Sequence, residues 1–175
     1  MELAIALLIL VALGFLYYGW LRLRQEAEAK ARQLIFRKSH REGEGAVARS
    51  HRVTPRSASA QELLDAAWAA IDVPEGTESL NWLGATIFKV RSDDQSTIFI
   101  TLKWKYGSPN WIAMLSLEDD GSLSWSVPQA RQLNGLVPEA KSLANLERRV
   151  IRALRLRDPY CVITSEESKT QWKRQ

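Results

Sequence analysis

The chain has 175 residues, a net charge of +4 and a hydrophobic share of 46%, a balance that suits one ordinary buried core and excludes a disordered or low-complexity polypeptide. Its single cysteine, Cys161, excludes a disulfide within the chain and reads as a small buried or half-buried filler. The basic charge is unevenly placed: residues 22–56 hold ten Lys and Arg against four acids, whereas residues 57–175 hold fourteen against fifteen.

Leu3 to Leu21 form an uninterrupted apolar and aromatic run closed by Arg22 and Arg24. A helix of that length covers roughly 28 Å, close to the hydrocarbon thickness of a bilayer, so the run predicts a transmembrane helix over about residues 3–21. A cleaved signal peptide fits less well, because the start is Met-Glu and no small-x-small site follows the apolar run. Positive charge follows the span and does not precede it, which predicts a single-pass protein with its N-terminus outside and its C-terminal body cytoplasmic.

Residues 22–38 continue as a helical stalk, with Glu26–Lys30 and Glu28–Arg32 as favourable pairs four apart. Arg22, Arg24, Lys30, Arg32, Arg37 and Lys38 are placed to meet the membrane surface. The lipid bilayer and its anionic headgroups therefore account for this basic segment more simply than nucleic acid does. From residue 39 to 59 the glycines, serines and lack of an apolar face predict a flexible basic linker. Both histidines, His40 and His51, fall in it without a cysteine or an acidic cluster at ligand spacing, so no metal site is assigned.

The folded domain is expected over residues 60–164, in the α+β class: a helix, a four-stranded antiparallel meander and a C-terminal helix. Ser59 and Glu62 form the pattern of a capping box, and Leu63, Leu64, Ala67, Trp68 and Ile71 share the face of the helix that follows. Alternation by two marks strands over Thr86–Arg91, Thr97–Lys105 and Trp111–Leu117, and again at Leu123, Trp125 and Val127. It points Trp104 and Trp125 inward. Residues 128–141 read as a loop, and the last helix spans roughly Ser142–Leu156 with Leu143, Leu146, Val150, Ala153 and Leu154 on its apolar face. Tyr160–Thr164 has the composition of a short edge strand, and residues 165–175 that of a frayed tail.

The pattern contains no nucleotide-binding glycine loop, metal-ligand cluster or nucleophile motif, so no catalytic, cofactor-binding or metal residue is assigned. The carboxylate pairs Asp93/Asp94 and Asp119/Asp120 sit at hairpin turns, where Asp serves the backbone. With both histidines assigned to the linker, the domain lacks the usual general base, and an enzyme is not expected. Contact residues are sought instead at Tyr106 and Trp111 and on the basic last helix at Arg148, Arg149, Arg152 and Arg155.

The expected function is that of a membrane-anchored protein whose cytoplasmic interaction domain binds a membrane-associated protein partner or the membrane surface. A second reading places a small-ligand or catalytic pocket between the sheet and the first helix of the domain, with Asp65 or Glu78 aimed into it.

Overall fold

The computed structural model describes residues 14–24, 26–27, 31, 37–76, 84–104, 107–133, 136–167 and 170–174. Following a helical stretch over 14–24, the elements run α1 (Arg37–Ala48), β1 (Arg49–Thr54), α2 (Ala60–Ala70), β2 (Ala85–Arg91), β3 (Thr97–Trp104), β4 (Trp111–Leu117) and β5 (Leu123–Gln132). The chain then forms α3 (Ala140–Arg157), β6 (Val162–Glu167) and β7 (Gln171–Arg174).

The sheet is larger than the four-stranded meander expected. Its antiparallel path has six strands, in the order β2-β3-β4-β5-β1-β6, and β7 pairs in parallel with the C-terminal half of β5. The meander itself lies where the alternation placed it. The extra strands come from segments that sequence patterning assigned elsewhere: β1 from the linker, β6 partly and β7 wholly from the tail. β1 has the sequence RSHRVT, in which only His51 and Val53 are buried, so its inward set has a polar member and conceals the alternation. β5 likewise extends to Gln132, through residues read as loop.

Helix α1 also replaces part of the expected linker. Despite two glycines it is helical, and Ala46 and Val47 bury completely or nearly so in the core. The chain passes from Ala48 directly into β1, so residues 37–54 are integral to the domain.

All three helices contribute to one core cluster with the inward residues of the sheet. α3 packs along both α1 and α2. Beneath them lie Ile98, Ile100 and Leu102 of β3, Trp111, Ala113 and Leu115 of β4, and Leu123, Trp125 and Val127 of β5. Trp104, expected inward, reaches the sheet margin and is 44% exposed. Helix α2 starts as anticipated: the Ser59 hydroxyl accepts from the Glu62 amide, and the Glu62 carboxylate accepts from the Ser59 amide.

Among the described residues no helix is long and apolar enough to cross a membrane. Residues 3–13 of the expected span lie outside them, and the described helical stretch over 14–24 includes Arg22 and Arg24. The expected single-pass membrane anchor is therefore not supported by any described helix. The placement of the N-terminus outside and of the domain in the cytoplasm rested on that span and is withdrawn with it.

Candidate functional site

Two groups of side chains stand out, one exposed and one buried, and both are organised by α3. Its inward stripe is Leu143, Leu146, Glu147, Val150 and Leu154, and the opposite side carries arginines. Residues three or four apart share a helix face, so Arg148, Arg152 and Arg155 form one outward row. They line a shallow hollow of about 330 Å³ together with Ile151 and Leu156. Leu156 is 73% exposed. Arg148 donates to the Ala144 carbonyl and the Asn145 side chain of its own helix. Arg149, Arg152 and Arg155 have no ion-pair partner among the described residues, whereas Arg157 pairs with Glu62 of α2.

Of the other residues singled out in the sequence, Trp111 is fully buried and so is not an exposed contact. Its indole Nε1 donates to the Pro138 carbonyl at 2.9 Å, which fixes the start of α3 against the sheet. Tyr106, Lys30 and Arg32 lie outside the described residues, as does Glu78. Arg22 and Arg24 are exposed, and the Arg24 guanidinium stacks 5.5 Å from the Trp20 ring. Arg37 and Lys38 belong to the first turn of α1. Asp65 is exposed and paired with Arg91 at 2.6 Å, so it is not aimed into a pocket. The structure thus unites Arg148, Arg152 and Arg155 of the residues expected to bind a partner and separates them from the buried Trp111.

The buried group was missed. His51 projects from β1 with 6% exposure, and its Nε2 lies 2.5 Å from Oε1 of Glu147 on α3. Its Nδ1 lies 3.0 Å from the hydroxyl of Ser165 on β6, the residue paired with it across the strands. Arg49 reaches the second carboxylate oxygen of Glu147 at 3.8 Å. The expectation that the folded domain holds no histidine is therefore wrong, and the expectation against an enzyme loses that premise; β1 had been counted as linker. One signal in the sequence pointed here. Glu147 occupies a position four residues after Leu143 and three before Val150, on the apolar stripe of its helix, where an acid requires a buried partner.

The aspartates of the hairpin turns are tied to their own loops. Asp94 accepts from the Ser92 and Ser96 hydroxyls and the Ser96 amide, with Ser92 making the largest contribution to a carboxyl lowered to about 2. Asp120 accepts from the Ser122 hydroxyl and amide, is lowered to about 2 chiefly by Ser122, and also pairs with Arg52. A polar hollow of about 180 Å³ is lined by Ser50, His51, Arg52, Glu118, Ser124 and Glu166.

Compared with known proteins, the chain matches no family model, no curated protein and no solved structure.

Proposed function

We propose that the domain is a protein-interaction module that docks an acidic, partly apolar helix of a partner protein on the outer face of α3. The observation that carries this reading is the hollow beside Ile151 and Leu156, edged by Arg148, Arg152 and Arg155. An exposed apolar floor with a charged rim has the anatomy of a protein interface, in which burial supplies affinity and the rim supplies register. The charge is of one sign, so the occupant must bring acids. The row from Arg148 to Arg155 spans roughly 10 Å of helix, about two turns, and a partner helix matches it with acids at positions i, i+4 and i+7.

The reading is tested with the full chain and a labelled peptide carrying Glu at those three positions and Leu on their flanks, followed by fluorescence anisotropy. Saturable binding that falls about tenfold in R152E/R155E, and also falls as salt is raised, supports it. Absence of saturable binding overturns it, as does undiminished binding by the charge-reversed protein. Tighter binding of duplex DNA or anionic vesicles than of the peptide also overturns it.

A further inference from the structure

The helix-covered face of the sheet carries a row of side chains that changes character along its length. Ile98, Leu115, Trp125, His51 and Ser165 are successive register partners across β3, β4, β5, β1 and β6. The first three are core. The last two are polar and point at an acid delivered by α3.

The hydrogen-bond polarity of this group follows from its chemistry. As a carboxylate Glu147 only accepts, so in the neutral imidazole Nε2 carries the proton and donates to it. Nδ1 is then a bare acceptor, and the Ser165 hydroxyl donates to it. The order is hydroxyl, imidazole, carboxylate, with every proton placed for transfer from the serine. It uses the two ring nitrogens in the reverse of the order seen in familiar serine triads, but either nitrogen is competent as a base. Exposure follows the same order. The His51 and Glu147 side chains are 7% and 6% exposed, while Ser165 is exposed on β6.

We infer that Ser165 is a nucleophile that His51 deprotonates and Glu147 positions through the imidazole, acting on an uncharged acyl ester. This site is independent of the arginine face of α3. In the acylation step Ser165 Oγ bonds to the carbonyl carbon and its proton moves to His51 Nδ1; the alcohol leaves carrying that proton. In the second step water adds to the acyl carbon, His51 Nδ1 takes one of its protons, and the proton returns to Ser165 Oγ as the ester bond breaks. The substrate class follows from the surrounding charge. Glu167, two residues after Ser165, lies on the same face of β6, and Glu147 stands behind His51, so an anionic substrate such as a phosphate monoester is repelled. Among the described residues, the nearby cation Arg49 is directed at Glu147.

The test treats the full chain with an uncharged fluorophosphonate and, in parallel, with p-nitrophenyl acetate, and locates adducts by peptide mass mapping. A single adduct at Ser165, absent from S165A and formed about a hundredfold more slowly in H51Q, is the expected result. Circular dichroism and urea unfolding establish that each variant is folded, and E147Q supplies a milder change should H51Q unfold. For Glu147 as a positioning residue, the pH profile of labelling must change in E147Q and be restored in E147D. Absence of labelling of the folded wild-type chain overturns the inference. It is equally overturned by labelling that persists in S165A, or by E147Q and H51Q variants that label at the wild-type rate.

Discussion

His51 of β1 and Glu147 of α3 meet at 2.5 Å with both side chains buried, and the bond fastens the helix layer to the strand next to the edge strand β6. Removing His51 leaves the Glu147 carboxylate buried without its partner, which costs about 3–5 kcal/mol, whereas removing Glu147 leaves a neutral imidazole N–H unpaired at about 1–3 kcal/mol. H51A and E147A are expected to lose these respective amounts of stability in urea titrations followed by tryptophan fluorescence. Replacing both by leucine removes the uncompensated group as well as the bond, so H51L/E147L should lie within about 1 kcal/mol of the wild type. A double variant no more stable than the single ones would show that the pair is not the relevant link.

The elements that were legible in the sequence are those whose inward residues are apolar throughout. Ser59 and Glu62 mark the start of α2 because the capping box is local, and Ile98, Ile100 and Leu102 mark β3 because alternation needs no partner to be seen. β1 fails that test because His51 takes an inward position, and its burial depends on Glu147, 96 residues away. α1 contains Gly43 and Gly45 and is held by tertiary contact with α3, not by its own propensity. The arginine row of α3 was readable from helical spacing alone, since exposure follows from the inward stripe opposite it. The polar group at Ser165 was not, because three elements distant in sequence build it.

Asp158 should make the domain sensitive to acid. Its side chain is buried at the end of α3, and burial alone would raise its carboxyl. The Ser57 hydroxyl at 2.6 Å and the amides of Arg56, Ser57 and Ala58 outweigh that and hold it well below the usual carboxylate range. A carboxyl lowered on folding contributes stability that is complete above its unfolded value, about 3.9, and is lost as the pH falls toward the folded value. Asp94 and Asp120, lowered to about 2, act in the same direction. Urea midpoints should therefore hold level at neutral pH and fall from about pH 4 downward. In D158N the midpoint at neutral pH should be lower and the acid decline shallower. An unchanged acid limb would remove Asp158 from this account.

Lys89 should act as the C-terminal anchor of α2. Its Nζ donates to the carbonyls of Trp68 and Ile71 at 3.0 and 2.9 Å and lies 4.2 Å from the centre of the Trp68 ring. Carbonyls at a helix end lack partners within the helix, and a cation there also meets the negative end of the helix dipole. Lys89→Met keeps the apolar stem and deletes the charge, and should cost about 2 kcal/mol. Hydrogen exchange should locate the loss: the Ile71 amide, which bonds to the Ala67 carbonyl in the last turn, is expected to lose protection before the strand amides do. Uniform loss of protection would argue against a local anchor.

The two largest fully buried side chains, Trp111 and Trp125, should respond differently to the same substitution. Each loses comparable ring volume on conversion to phenylalanine, and each lies in the same core cluster. The Trp111 Nε1 donates to the Pro138 carbonyl, whereas the buried Trp125 Nε1 has no partner among the described residues. Trp111→Phe therefore deletes a hydrogen bond and leaves a carbonyl unpaired, adding about 1–3 kcal/mol to the cavity cost. Trp125→Phe removes an unpartnered donor, which offsets part of the same cavity cost. Thermal unfolding should place W111F below W125F in stability. Because Trp111 is buried beside the start of α3 and not on its outer face, W111F should also leave the affinity for the acidic peptide unchanged. A loss of peptide binding in the folded W111F protein would relocate the contact surface to the sheet.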